Sequence, residues 1–307
     1  MMILSIIVCT YNRDFLLEKC LKSIANQDYD KSKFEVIVVD NNSTDNTKNV
    51  ILPFLNNPRF KYTLERNQGL SLARNKGLEL AMGEYIAYLD DDTIIPEDWV
   101  SNCFELIKNI PSLDGFGGPL YPFYTTEKPK WFEDKFVIQM GTQSTPYLLK
   151  YGHSFIGANM VWKTDLLKSI DGFNIKLGYI GNNELLGEET DAYYRAWKLK
   201  PDAKFLLSPN LKIFHWVHPK SMKLLYRVNR YYKAGLTDYH INHFYMKKKK
   251  IMIMKNTFLR FLKGITKSII KITNYNDFRK WVYWEFSPHF FYLGVICGCL
   301  GKNISDA

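Results

Sequence analysis

MMILSIIVCTYNRDFLLEKCLKSIA, residues 1–25, passes from an apolar run through polar Thr10-Tyr11-Asn12-Arg13 into a segment of helical period from Phe15 to Ala25. No Lys or Arg precedes the apolar run, so Met1 to Cys9 reads as a buried strand rather than a secretory signal. The same alternation recurs downstream. Phe34 to Val39 leads to Thr44 to Leu55, Phe60 to Leu64 to Leu70 to Met82, and Tyr85 to Leu89 to Glu97 to Ile110, with a further apolar run from Gly115 to Leu120. Short apolar strands without strict alternation, separated by helices, predict an α/β fold whose mostly parallel sheet is covered by helices on both faces.

In such sheets ligands bind beyond the carboxyl ends of the strands. Those ends carry Thr10-Tyr11-Asn12-Arg13, Asp40-Asn41-Asn42-Ser43, Arg66-Asn67 and Asp90-Asp91-Asp92. Each alone has a structural explanation, for instance Asn42-Ser43-Thr44 as turn and cap chemistry and Asp91-Asp92 as an exposed turn. Their recurrence at four ends points to one polar site. Three successive carboxylates after an apolar strand, YIAYLDDDTIIPEDW at 85–99, repel one another unless something neutralises them. Alternate side chains at Asp90 and Asp92 can converge on one ion, and hard oxygen donors suit Mn²⁺ or Mg²⁺ bound together with substrate phosphates. Such an ion would stabilise the charge that develops on a departing diphosphate.

TYNR at 10–13, VVDNNSTDNT at 38–47, RNQGLSLARNKGL at 66–78, LDDD at 89–92 and GEETDAYYRAW at 187–197 follow one another in a familiar order. With them the chain resembles the family-2 glycosyltransferases over roughly residues 3–235. The joint pattern is specific, although each piece alone is weak. The resemblance implies the GT-A fold, a Rossmann-like α/β arrangement, and an inverting transfer from a nucleotide-sugar donor.

Carried over by position, the resemblance implies that Thr10, Tyr11 and Arg13 surround the nucleotide. Asp40 meets the base edge, where a carboxylate accepts from a uracil-like imide and so favours uridine. Asn42, Asn67 and Asp91 join this substrate-binding set, although Asp91 has shaping the turn as its alternative. Arg74 is expected near the phosphates or the loop that holds them, Asp90 at ribose and metal, and Asp92 on the metal directly. GANM at 157–160 implies close approach to the donor sugar at Gly157 and hydrogen bonds from Asn159, against the alternative of a tight turn. His215, in KIFHWVHPKSM, matches a histidine that reaches the metal or diphosphate, with His218 as competitor and a structural role as the alternative.

Glu189 falls where the family places its general base, with Glu in place of the usual Asp. Glu188 and Asp191 stay open as alternatives, because all three lie in what reads as the first turn of a helix, where anions are favoured anyway. The base would take the proton of the acceptor hydroxyl as its oxygen attacks the anomeric carbon opposite the departing diphosphate.

Composition frames these readings. The chain has 307 residues, 46% hydrophobic and 23% charged, enough to bury a full core. Its five cysteines are odd in number and scattered, which argues against a disulfide framework or a zinc site and for a reducing cytoplasm. Charge divides unevenly: residues 1–211 hold 23 Lys and Arg against 27 Asp and Glu, a balance of −4, whereas 212–307 hold 18 against 4, a balance of +14.

We therefore expect a GT-A domain over 1–219, with 1–120 the nucleotide-binding half and 121–219 the acceptor-side half, and a basic helical extension over 220–307. Between 121 and 187, prolines and aromatics such as Tyr121, Trp131, Phe132 and Phe136 suggest loops lining a sugar pocket, with core packing as the competing reading. The extension holds Lys247-Lys248-Lys249-Lys250 and an amphipathic stretch from Ile251 to Ile272, and its apolar run at 290–300 is too short to span a bilayer. It predicts peripheral contact with an anionic membrane at its cytoplasmic face, a helical subdomain or an oligomer interface. No nucleic-acid reader motif is present.

The acceptor is expected to be a glycan or a lipid-linked sugar. Two other classes stay in view. A sugar-phosphate nucleotidyltransferase also sets aspartates beside a parallel sheet, but no Gly-rich basic loop follows the first strand. A non-enzymatic membrane-binding protein has no need of the clustered carboxylates.

Overall fold

The computed structural model describes residues 2–141, 143–180, 183–184, 186–245 and 247–302. Strands and helices alternate at first: β1 (Leu4–Thr10), α1 (Asp14–Ala25), β2 (Phe34–Asp40), α2 (Thr47–Ile51), β3 (Phe60–Leu64), α3 (Leu70–Leu80), β4 (Tyr85–Asp90), β5 (Thr93–Ile94) and α4 (Trp99–Asn109). The middle holds β6 (Gly115–Gly117), β7 (Leu120–Phe123), β8 (Tyr147–Leu148), β9 (Asn159–Lys163), α5 (Thr164–Ser169), β10 (Tyr179–Ile180), β11 (Asn183–Glu184), α6 (Glu188–Leu199), β12 (Phe205–Leu207) and β13 (Ile213–Trp216). Four helices follow: α7 (Leu224–His240), α8 (Lys250–Ile270), α9 (Phe278–Trp281) and α10 (His289–Cys299).

Among the described residues the large sheet runs β3-β2-β1-β4-β9-β6-β12-β8, and a smaller one runs β5-β13-β7. Strands β1, β2, β3 and β4 pair in parallel, whereas β9 lies antiparallel between β4 and β6. Successive strand side chains point to opposite faces, and this sorts an unbroken apolar run between two cores. Leu4, Ile6 and Val8 pack with Leu17, Leu21 and Ile24 of α1, while Ile7 packs with Ala73 and Leu78 of α3. Strands β2 and β4 divide in the same way, which is why neither shows a polar face. Each such side chain contributes about 1.5–3 kcal/mol on full burial. Helix α3 approaches β1 so closely that a Cβ at Gly77 would meet Ile7 Cγ2 at 2.5 Å.

Three local expectations give way. The helix expected over Thr44 to Leu55 is α2 followed by a 3₁₀ segment, Leu52–Asn56, because Pro53 lacks the N–H that would continue the α-helical ladder. The strand expected over Gly115 to Leu120 is two strands in different sheets, β6 and β7, separated by Gly118-Pro119. Trp131, Phe132 and Phe136, expected around a sugar pocket, are core residues that pack with Val217, Met222 and Tyr283. Their large apolar surface is withdrawn from water instead of being offered to a ligand.

The chain forms two compact units. The first comprises Met1–Phe123, Ile138–Gly181 and Glu188–Trp216, and holds both sheets just described. The second comprises Tyr124–Val137, Asn182–Gly187 and Val217–Ala307, so it draws in the aromatic segment as well as the basic helices.

Candidate active site

Parallel pairing brings the strand ends level. Thr10 lies opposite Asp40, and Cys9 lies opposite Asp90. Beyond them the chain turns through Asn12 and Asn42, at φ 52° and 67°, a left-handed conformation that Asn tolerates better than most residues. The turns are tied together: Asn12 Oδ1 accepts from the Thr44 N–H at 2.7 Å, and Ser43 Oγ accepts from the Asn12 N–H at 3.0 Å. Asp40 accepts from the Ser43 N–H at 2.8 Å and from the Tyr62 hydroxyl at 3.1 Å, so its carboxylate is aimed by its surroundings. Buried Asn41 donates to the Asn67 carbonyl at 2.7 Å and accepts from the Gly69 N–H at 2.7 Å, joining the second strand end to the third. Thr10 is buried, Tyr11 half-buried, and Asn42 and Asn67 are exposed. Among these, Tyr62 carries no sequence signal as an orienter, and Asn41 is visible only as part of a polar run.

The aspartate triplet divides by environment. Asp91 is buried and its Oδ1 accepts from Arg13 Nη1 at 3.1 Å; burial pushes its carboxyl up to about 6 even though Arg13 opposes the rise. The same Arg13 nitrogen donates to Asp92 Oδ2 at 2.7 Å. Asp91 foremost, and then Asp92, hold the Arg13 proton more tightly than usual despite partial burial. The other Asp92 oxygen, Oδ1, is buried without a hydrogen-bond partner among the described residues, and His215 Nε2 stands 3.2 Å from it. That nitrogen is also 3.9 Å from Asp90 Oδ2. Strand β13 pairs antiparallel with β5, setting His215 opposite Thr93 and so beside the triplet. Asp90, Asp92 and His215 thus each offer one ligand atom, all within 4.8 Å of one another. An orphaned buried carboxylate oxygen in such a set fits a divalent cation, since a buried acceptor without a partner is otherwise unfavourable.

Arg74 connects this trio to the acids of α6. Its side chain is 2% exposed, with Nη1 at 2.9 Å from Glu188 Oε1 and 3.6 Å from Glu189 Oε1, and Nη2 at 3.6 Å from Asp90 Oδ1. Burial works against its charge, but Glu189, Glu188 and Asp90 outweigh it and hold the proton more firmly than usual. The residue expected beside phosphates is therefore a buried hub among carboxylates. Gly157 makes room for it: a Cβ there would meet Arg74 Nη2 at 2.1 Å and Glu189 Oε1 at 2.3 Å. The Gly157 N–H donates to the same Glu189 oxygen at 3.1 Å.

The three acids expected to compete for the base role occupy different places. Asp191 is fully buried and paired with Arg195 one turn along α6, at 2.8 Å to Nε and 2.7 Å to Nη2, while Arg195 also donates to the Ile170 and Gly172 carbonyls. That use secures α6 and removes Asp191 from solvent. The Glu188 side chain is 4% exposed, and burial together with neighbouring Glu189 pushes its carboxyl up to about 8 against the pull of Arg74. Glu189 keeps 20% of its side chain exposed. Asn159, expected to meet donor hydroxyls, is fully buried and donates to the Leu211 carbonyl at 2.6 Å. It braces β9 against the segment before β13.

The profile of glycosyl transferase family 2 matches residues 5–166. A glucosyl-dolichyl phosphate glucuronosyltransferase of Haloferax volcanii is 24% identical over 207 residues, 63% of this chain and 63% of the relative. A GalNAc(5)-diNAcBac-PP-undecaprenol beta-1,3-glucosyltransferase of Campylobacter jejuni is 48% identical over 92 residues, 29% of each. The chain thus spans less than two thirds of either curated relative. Among solved structures, the mannosyltransferase PcManGT of Pyrobaculum calidifontis, in complex with GDP-Man and Mn²⁺, superposes with TM-score 0.65 at 17% identity, over 97% of this chain and 87% of that one. The fold is the expected GT-A arrangement.

Proposed function

The chain belongs to glycosyl transferase family 2, and from that premise we propose that it is a metal-dependent, inverting glycosyltransferase. It moves a sugar from a nucleotide diphosphate donor, with a UDP-sugar favoured, to a glycan or lipid-linked acceptor in cell-surface polysaccharide or glycoconjugate synthesis. Both curated relatives carry names with lipid-linked sugars in them, which supports that acceptor class. The basic extension supports work at the cytoplasmic face of a membrane, in peripheral contact with it.

The observation that carries the reading is the bridge made by buried Arg74 between Asp90 and the Glu188–Glu189 pair. It joins a set of metal-type ligands to a partly exposed carboxylate, the two components that a metal-assisted inverting displacement would use. Asp90, Asp92 and His215 would hold Mn²⁺ or Mg²⁺. Bound there, the ion would supply electrostatic stabilisation of the departing diphosphate. Asp40, at the end of β2, would accept from the base, with Thr10, Tyr11, Arg13, Asn42 and Asn67 around the nucleotide. Arg13 would hold Asp92 by one oxygen and leave the other for coordination. Glu189, fixed by the Gly157 N–H, would take the proton of the acceptor hydroxyl. Burial pushes the Glu188 carboxyl up, and Arg74 Nη1, 3.6 Å from Glu189 Oε1, would offset the charge of Glu189.

The test is release of nucleotide diphosphate from a panel of UDP- and GDP-sugars, with and without a chelator. Asp92→Ala should remove turnover and metal dependence together. Glu189→Gln should leave donor binding nearly intact and lower turnover by about 10²–10⁴-fold. Full turnover of Glu189→Gln would move the base to Glu188; wild-type release unaffected by chelator would sink metal dependence.

A further inference from the structure

Helix α8 (Lys250–Ile270) has a buried side of mostly small residues and an opposite side whose apolar residues are exposed. At about 100° per residue, Ile253, Thr257, Gly264 and Ser268 form one stripe. Ile253, Thr257 and Ser268 are buried, and a Cβ at Gly264 would meet the His289 ring of α10 at 2.7 Å. Ile251, Phe258, Leu262 and Ile269 form the opposite stripe, and their exposures are 65%, 50%, 44% and 56%. A packed helix ordinarily turns polar residues to water, so this exposed apolar stripe has no use within the compact unit it belongs to. It continues into a shallow groove lined by Ile251, Met254, Lys255 and Phe258 of α8 and Ile296 of α10. Between residues 247 and 271 the chain has nine Lys and Arg and no Asp or Glu.

We propose that the outward stripe of α8 docks the chain on an anionic lipid bilayer, lying in the headgroup plane with Phe258 and Leu262 toward the acyl chains and the flanking lysines toward lipid phosphates. Long lysine stems beside Ile, Leu and Phe suit the boundary between apolar and charged layers. The uniform positive charge selects the occupant: a second copy of the same face would be repelled, whereas an anionic surface is attracted. Among the described residues no helix is long and apolar enough to cross a membrane, so attachment by α8 is lateral. The proposal rests on the lipid-linked acceptor reading for its purpose, yet docking itself needs neither donor nor acceptor.

The test is flotation of the full chain with vesicles of phosphatidylglycerol and phosphatidylcholine, or of phosphatidylcholine alone. Binding is expected to the anionic vesicles and to weaken about tenfold or more at ~0.5 M salt. The double variant Phe258→Ser/Leu262→Ser should lose about tenfold or more in vesicle binding, with thermal midpoint and donor hydrolysis unchanged. Lys255→Glu/Lys263→Glu should show a comparable loss through charge alone. Failure of the wild type to float, or flotation of both double variants like wild type, overturns the proposal. So does a wild-type dimer that Phe258→Ser/Leu262→Ser dissociates while neither form binds vesicles. A wild type that floats but hydrolyses no nucleotide sugar would sink the transferase reading and leave the docking face standing.

Discussion

Glu188 and Glu189 are chemically identical neighbours that the fold treats differently. Glu188 lies beneath the surface against Arg74, and its carboxyl titrates near 8 instead of its ordinary 4.5, chiefly through burial. A carboxyl with a raised folded-state value binds its proton more tightly folded than unfolded. The associated stability is therefore full below about 4.5 and is lost as pH rises toward about 8. Thermal midpoints measured across that window should fall with pH in the wild type, and the fall should flatten in Glu188→Gln; an unchanged slope would assign it to other groups. Sequence reasoning named both glutamates and Asp191, because carboxylates in a first helical turn are visible as letters. The resemblance puts Glu189 first and leaves Glu188 and Asp191 open, since letters in one helical turn do not show that Asp191 is buried on Arg195 or that Glu188 is buried against Arg74. Asn159 and Arg74 are visible in the sequence as polar side chains, but both are buried and turned to bracing the site from within.

Helix α3 shows what an element must supply. Gly77 in its interior lowers helix propensity by about 1 kcal/mol relative to Ala, and the fold retains it because a Cβ would press on Ile7 of β1. Gly77→Ala is thus expected to destabilise by about 1–3 kcal/mol through overpacking, in spite of the better propensity. Denaturant midpoints would check this, and a more stable variant would show that α3 can shift away from the sheet. Strands β1 to β4 and helices α1, α3 and α4 were legible because an apolar run between helical segments has few other physical explanations. What escaped was how runs end. Pro53 converts a helix to a 3₁₀ segment, and Gly118-Pro119 sends one apparent strand into two sheets. A periodic pattern records which face is buried, but not which neighbour receives it.

For the molecule as a whole, the candidate metal ligands and the candidate base all belong to the first compact unit, while the α8 face belongs to the second. Ligand that binds only the folded state stabilises it by mass action. Calorimetry with UDP and Mn²⁺ at about a hundred times their Kd should therefore raise the stability of the first unit by about 2.7 kcal/mol, and a chelator should abolish most of the gain. A shift indifferent to chelator would argue against the metal. The amino-acid sequence by itself determined the α/β class, the strand ends where chemistry collects and the basic character of the last third. Those are properties of local pattern and composition, which periodicity, turn chemistry and charge impose on any chain that carries them. Only the tertiary structure decided that Arg74 serves carboxylates and that Trp131, Phe132 and Phe136 form a core. It also set one oxygen of Asp92, which has no hydrogen-bond partner among the described residues, 3.2 Å from Nε2 of His215, 123 positions along the chain. The physical reason is that burial, desolvation and hydrogen-bond competition act between residues distant in sequence, and no local pattern encodes which of them will meet.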